Sequence, residues 1–289
     1  MHKSLIKWLQ VENTTKCNAW CPGCGRNKGG YELADDLVLE DLDMSRFEQV
    51  LQYFERLETV QFCGSYGDPA AAKHALEHVQ LAKKYVNNIH IHSHGGLRTP
   101  DWWESLALEL LDVKHQVYFA LDGLKGVHEI YRQGTDFDKV LENAQAFIKA
   151  GGQAIWQFIP WAHNEHQIKD CIKLSQELGF KKFHIVRESL RTDFDAKHWR
   201  TGEPIDIRPW SRNHVHSKYD QENRTVGWAD CRHLNVPSVY LNANGQLSPC
   251  CFFNKYRAVD KFESLDNIKI EIENQPHAQC LHSCGVSVK

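Results

Sequence analysis

Cys17-Asn18-Ala19-Trp20-Cys21-Pro22-Gly23-Cys24 sets three thiols at the spacing C-x3-C-x2-C near the start of a 289-residue chain. Thiolates are soft ligands that suit zinc, copper(I) and iron–sulfur clusters. Three of them do not fill a four-coordinate site. Either a distant fourth ligand completes it, as a zinc site would require, or one corner stays open. An iron–sulfur cluster held by three cysteines leaves one iron able to bind a small molecule.

The stretch follows Ile6–Val11, which reads as a strand, and a regular rhythm follows it. In Ser45–Leu57 the apolar residues Phe47, Val50, Leu51, Phe54 and Leu57 keep the period of a helix. Thr59–Cys63 is a short strand closed by Gly64-Ser65-Tyr66-Gly67-Asp68-Pro69, where glycine and proline mark a turn. The unit then recurs. Helices are expected at 71–86, 100–111, 137–150 and 165–178, and strands at 89–93, 117–121, 154–159 and 182–186. Six strands alternating with helices make parallel βα units. A closed barrel needs eight, so an α/β fold with an open, partial (β/α)6 TIM-like barrel is expected over residues 1–190. A flat doubly wound sheet is the weaker choice, because no G-x-G-x-x-G turn follows the first strand.

Residues 191–230 break the rhythm and read as a connecting segment. From Cys231 onward Ser238–Leu241 and Gln246–Pro249 flank Asn244-Gly245, a strong hairpin signal. Ten cysteines are unevenly placed: three lie in 17–24, five lie in 231–284, and only Cys63 and Cys171 lie between. Clustered cysteines in a reducing compartment bind metal more often than they form a disulfide framework. Residues 231–289 are therefore expected to form a small second domain, a β-hairpin plus helix around metal.

A formal charge of −3 gives no reason to expect nucleic acid or an acidic membrane surface as partner. No signal peptide and no bilayer-spanning run is read, so a cytoplasmic protein is expected.

The three-cysteine loop after strand one resembles the signature of radical S-adenosylmethionine (SAM) enzymes. The resemblance implies that Cys17, Cys21 and Cys24 hold a 4Fe–4S cluster whose fourth iron binds the amino and carboxylate groups of SAM. Reductive cleavage of SAM then yields a 5′-deoxyadenosyl radical, which removes a hydrogen atom from the substrate. So reactive a species calls for a walled site and a positioned substrate. Tyr66-Gly67-Asp68-Pro69 resembles the family's Gly-Gly-Glu-Pro segment, which implies that Tyr66, Gly67 and Asp68 meet the methionine amino group. Weaker matches implicate Ser93 and His94 after strand three, Asp122 after strand four and Gln157 on strand five. Many members carry an aromatic residue near adenine where this chain has Gly23, and Trp20 is the nearby substitute.

Cys231, Gly245 and Cys250 fit C-x13-G-x4-C, which resembles the start of the SPASM and twitch domains. The resemblance implies one auxiliary 4Fe–4S cluster on Cys231, Cys250, Cys280 and Cys284, with Cys251 in reserve. Cys63 and Cys171 read as core thiols. Lys7, Lys16, Arg26 and Lys28 flank the first cluster and offer a surface for an acidic one-electron donor such as flavodoxin or ferredoxin.

The expected activity is modification of a peptide or protein side chain, with a maturase or oxidoreductase character. The alternative is a dehydrogenase or mutase acting on a sugar, nucleoside or amino acid. No additional N-terminal leader-binding domain is expected, because the first strand starts almost at once. A glycyl-radical-enzyme activase fits less well, since Arg26–Glu40 contains no cysteine. A zinc-binding interaction module would use both cysteine groups structurally.

Overall fold

The computed structural model describes residues 6–186, 195–211, 238–251 and 259–260, together with the backbone of 226–227 and 286–287. Its centre is an eight-stranded sheet. The strands are β1 (Trp8–Val11), β2 (Thr59–Phe62), β3 (Asn88–Ser93), β4 (Lys114–Ala120), β5 (Ala154–Phe158), β6 (Lys182–Ile185), β7 (Ser238–Leu241) and β8 (Leu247–Ser248). Their order across the sheet is β8-β7-β1-β2-β3-β4-β5-β6. All neighbours are parallel except β7 and β8. The outer strands β6 and β8 are not joined, so the barrel is partial, as six βα units lead one to expect.

The helices are α1 (Met44–Tyr53), α2 (Ala75–Lys83), α3 (Pro100–Leu110), α4 (His128–Tyr131), α5 (Phe137–Lys149) and α6 (Ile168–Glu177). Local chemistry starts and stops them. The Asp43 carboxylate caps α1 by accepting from Arg46 N, and Asp136 caps α5 by accepting from Asp138 N and Lys139 N. Pro100 stands in the first turn of α3, where its missing N–H costs nothing. Gly151, at φ +94°, closes α5 in a left-handed conformation that other residues resist.

Alternation along the strands separates two faces. One buries Leu9, Val11, Val60, Phe62, Ile89, Ile91, Val117 and Phe119 beneath the helices. There Trp103 of α3 packs on Phe119 at 4.9 Å, and Phe147 of α5 stands 5.9 Å from the same ring. The opposite face is polar and aromatic. Trp8 donates to Gln61 Oε1 (3.1 Å), His92 stacks on Tyr118 (4.1 Å, 6°), and Tyr118 donates to Gln116 Oε1 (2.7 Å).

The structure differs from the sequence reading in three places. The helix expected at 71–86 is divided: Pro69–Ala71 forms a 3-10 turn, and α2 begins only at Ala75. The helix expected at 165–178 likewise opens with a 3-10 turn, Glu165–Gln167, before α6. The hairpin at 238–248 does not stand apart from the barrel. Its first strand, Ser-Val-Tyr-Leu, is fully buried and covers the open edge of β1 in parallel register, with Leu9 opposite Val239 and Val11 opposite Leu241. Covering that edge satisfies backbone groups that would otherwise be left unpaired. The expected helical part of the C-terminal domain lies outside the described residues.

Candidate active site

Five strand ends converge on a cavity of about 280 Å3. Its lining includes Cys17, Cys21 and Cys24 from the loop after β1, the Gly64–Asp68 loop after β2, Ser93 and His94 after β3, and Gln157 from β5. Placement at the C-terminal strand ends is the general rule for parallel α/β sites.

The cysteine loop is held from several directions. Thr14 Oγ1 donates to Asp41 Oδ1 (2.6 Å), Thr15 Oγ1 to Val38 O (2.6 Å), and Trp20 N to Gln133 O (2.8 Å). Within the loop Cys24 N donates to Cys21 O (3.0 Å), and Ala19 N donates to the Cys17 sulfur (3.3 Å). The connecting segment braces it from outside, as Lys197 N donates to Gly29 O (2.8 Å) and Gln133 Nε2 to Lys197 O (2.9 Å).

Burial pushes the Cys17 thiol far above its ordinary range, and the nearby Asp68 carboxylate adds to the effect. Burial raises Cys21 to about 11, although the Arg132 guanidinium, with Nη1 at 3.8 Å from Sγ, pulls it down. Thiols in this state stay protonated until a metal displaces the proton. Among the described residues no three His, Cys, Asp or Glu side chains converge tightly enough to hold a single metal ion. Three thiols lining one cavity fit a cluster in which each sulfur takes a different iron.

Two buried donors support the same fit. Arg26 is 5% exposed; its Nε donates to Thr15 O (3.3 Å), while Nη1 has no hydrogen-bond partner. No carboxylate pairs with it among the described residues. His94 is buried, and its Nδ1 accepts from Gly96 N (3.0 Å), so the neutral ring carries its proton on Nε2. That Nε2 has no hydrogen-bond partner; the nearest carboxylate oxygen, Asp68 Oδ2, is 3.5 Å away. Both residues line the cavity. A buried cation and a buried N–H donor facing one space require acceptors or negative charge there. A thiolate-ligated cluster and the carboxylate of a methionine both meet that requirement.

The Gly64–Asp68 loop lies directly against the cysteine loop. Asp68 N donates to Lys16 O (2.9 Å), and a Cβ on Gly67 would stand 2.0 Å from Thr14 O. The Asp68 carboxylate is fully engaged, accepting from Ser93 Oγ (2.8 and 2.9 Å), His94 N (2.8 Å) and Ala70 N (2.9 Å). It therefore ties the ends of β2 and β3 together while lining the cavity. Gln157 Oε1 lies 3.0 Å from His92 Nδ1 at the cavity's polar end.

Asp122 does not line the cavity. It is wholly buried, Oδ1 accepts from Ile159 N (2.6 Å), and Oδ2 accepts from Arg132 Nε (2.5 Å). Burial pushes its carboxyl up, and Arg132 partly offsets this. The group that reaches the cavity is Arg132, ten residues further along. Trp20 is also outside the lining; it packs beside Gly134, with Arg26 over its ring at 5.8 Å. The residues of the expected basic flank each have a defined setting. Lys7 pairs with Glu58, Lys16 with Asp41 and Lys28 with Asp35, and Arg26 is buried.

Glu12, Arg132 and His92 were not singled out from sequence, and Arg26 was read only as part of a basic flank and not as a lining residue. Only Glu12 left a trace, as a carboxylate at the buried end of a strand. It is 1% exposed, accepts from Tyr66 N (2.6 Å) and Gly67 N (3.3 Å), and burial raises it to about 7. Of the remaining cysteines, Cys171 is a core residue and Cys63 lines the cavity. Cys63 is pushed up by burial and then by the neighbouring Cys251. Cys250 is buried next to Cys251. Cys231, Cys280 and Cys284 lie outside the described residues.

The fold and the three-thiol cavity define a partial-barrel enzyme built around thiolate chemistry. A family model described as "Radical SAM superfamily" matches residues 11–175, more than half of the chain, and the chain belongs to that superfamily. Membership implies an enzyme that uses SAM and a 4Fe–4S cluster.

Among solved structures it is similar to Streptococcus suis SuiB bound to S-adenosylmethionine (TM-score 0.65, 14% identity, covering 97% of this chain and 68% of that one). It is also similar to SuiB bound to precursor peptide SuiA (TM-score 0.64, 12% identity, 97% and 65%). A third likeness is to native anSMEcpe with bound AdoMet and Kp18Cys peptide (TM-score 0.60, 15% identity, 96% and 88%). At these identities the likeness is one of fold. A search of curated proteins returned no match. Among the described residues no helix is long and apolar enough to cross a membrane.

Proposed function

We propose that this radical SAM enzyme modifies a side chain of a peptide or protein. The observation that carries the reading is the convergence of three buried thiols, two unpartnered buried donors and the Gly64–Asp68 loop on one cavity that runs into a polar barrel face. When bound, a 4Fe–4S cluster supplies the electron that cleaves SAM reductively. Cys17, Cys21 and Cys24 hold that cluster, and Arg26 and Arg132 balance its negative charge. The Tyr66, Gly67 and Asp68 loop, with Ser93 and Gln157, seats SAM, and the His94 Nε2 proton is offered to its acceptor groups. Asp122 contributes by holding Arg132.

The substrate class is supported by two observations. From His92 and Gln157 in the cavity lining, a contiguous layer continues over the barrel face through Tyr118, Gln116, His90 and His184, which suits the amide and hydroxyl groups of a peptide. Two of the similar structures are named as complexes with peptides. Residues 1–190 form the catalytic barrel, 191–230 the connection and 231–289 an auxiliary-cluster domain on Cys231, Cys250, Cys280 and Cys284. Strand β7 anchors that domain to the barrel. An external one-electron donor of the flavodoxin or ferredoxin type supplies reducing equivalents.

Anaerobic reconstitution with iron and sulfide, followed by SAM and dithionite, tests the core of the reading. The protein should form 5′-deoxyadenosine, and the triple change of Cys17, Cys21 and Cys24 to Ala should abolish it. Cleavage that survives the triple change would overturn the ligand assignment. Candidate peptides encoded beside the gene should raise 5′-deoxyadenosine output and show a mass change. A response confined to sugars, nucleosides or free amino acids would favour the small-molecule alternative.

A further inference from the structure

Glu12 is a buried carboxylate that neither the cysteine motif nor the Gly-Asp-Pro turn accounts for. It follows β1 directly, with its backbone N–H on Leu241 O of β7 (2.9 Å). Its carboxylate accepts the N–H groups of Tyr66 and Gly67 at 2.6 and 3.3 Å. Tyr240 of β7 is completely buried and donates its hydroxyl to Ser65 Oγ at 2.9 Å, close enough to Glu12 to stabilise its charge. Three consecutive residues of the Gly64–Asp68 loop are thus held by one carboxylate from the first strand and one phenol from the C-terminal strand. Without these partners, two backbone N–H groups and a hydroxyl beside the cavity would be left unsatisfied.

We infer that Glu12 and Tyr240 are positioning residues for SAM, holding the Ser65–Gly67 loop in its binding shape, so that the cofactor site is incomplete without the C-terminal strand. The inference rests on the assignment of that loop to SAM. It adds that Glu12 of the first strand's end and Tyr240 of the C-terminal strand set the loop jointly, the latter from 175 positions beyond Ser65. Neither residue lines the cavity, so both act through the loop backbone rather than on the cofactor.

The test is SAM binding to the iron-loaded chain, read by equilibrium dialysis with labelled SAM. A second reading is the SAM concentration that half-converts the electron paramagnetic resonance spectrum of the reduced protein. Glu12→Ala should weaken binding about ten-fold, the scale of leaving buried hydrogen-bond donors without their acceptor. Glu12→Gln keeps one acceptor oxygen, and Tyr240→Phe keeps the buried ring; each should weaken binding about three-fold. Both milder variants should retain wild-type iron content and thermal midpoint. Wild-type affinity in the Gln and Phe variants would overturn the inference, as would losses that merely follow lost iron or lowered melting. If Glu12→Ala does not fold, those two variants decide the matter. A wild-type chain that carries iron yet binds no SAM would overturn the loop assignment itself, a result distinct from unchanged binding in the variants.

Discussion

Arg132 donates from Nε to Asp122 Oδ2 at 2.5 Å and turns Nη1 towards the Cys21 sulfur at 3.8 Å, so one guanidinium links a wholly buried carboxylate to a cluster-loop thiol. Asp122 is 0% and Arg132 14% exposed at the side chain, so neither charge is well solvated. Taking away one partner leaves the other charge buried and uncompensated. Arg132→Met should therefore cost about 3–5 kcal/mol of stability, whereas the double change with Asp122→Asn should cost clearly less. Urea denaturation of the four members of the cycle measures this. Additive losses would mean that the pair does not act as a unit.

Arg26 makes a prediction of opposite sign for the empty and the loaded chain. In the iron-free protein its buried Nη1 is a liability, so Arg26→Met should be neutral or stabilising by about 1 kcal/mol. In the loaded protein, with the cluster held as proposed, the same change removes a positive charge from the cavity the three cysteines line. Iron retained under a chelator challenge should fall about ten-fold. Thermal melting of the iron-free chain and colorimetric iron after chelation read the two halves. A variant that destabilises the empty chain and keeps its iron would assign Arg26 a packing role.

Glu12 couples stability to pH. Burial raises its carboxyl from an ordinary value of 4.5 to about 7. Between those values the folded chain keeps a proton that the unfolded chain has released, so stability falls as pH rises through this window. The full loss, about 3 kcal/mol at 1.36 kcal/mol per pH unit, is reached above pH 7. Glu12→Gln removes this contribution. The difference in urea midpoint between variant and wild type should move in favour of the variant from pH 5 to pH 8. Parallel pH profiles would show that Glu12 stays ionised throughout.

Gly67 has no room for a methyl group. A Cβ there would meet the Thr14 carbonyl oxygen at 2.0 Å, and backbone cannot swing aside as a flexible side chain can. Gly67→Ala should push the turn off the cysteine loop at a cost of about 1–3 kcal/mol. SAM affinity should fall with it. Calorimetric melting and equilibrium dialysis on the same sample check both, and wild-type behaviour in both would refute the close packing of the two loops.

Iron stoichiometry addresses the C-terminal cysteines. Two cubane clusters correspond to about eight irons per chain, and the Cys17, Cys21 and Cys24 triple variant should keep about four. A wild-type value near four would remove the auxiliary cluster from the proposal. Changing Cys280 and Cys284 to Ala should spare SAM cleavage without substrate more than full turnover.

Local signals carried most of the architecture. Phe47, Val50 and Leu51 repeat at helical spacing and are buried on one face of α1, as that spacing requires. The run from Asn88 to Ser93 alternates half-buried and buried residues, as one face of a covered sheet demands. The cysteine motif was legible for the same reason: its thiols lie within eight residues, and the loop between two elements keeps them together. In contrast, the partners of Asp122 and Tyr66 could not be read, because a hydrogen bond between distant residues depends on register and on the path of the chain.

The sequence by itself determined the βα rhythm, the strand-end placement of the three thiols and the class of chemistry that three soft ligands allow. Tertiary structure alone decided that Ser238–Leu241 closes the edge of β1, that Asp122 faces Arg132 and not the cavity, and that Glu12 reaches Tyr66 and Gly67. The physical reason is range. Periodicity and turn chemistry act over a few residues. A buried charge or an open strand edge takes whichever partner the folded chain brings within about 3 Å.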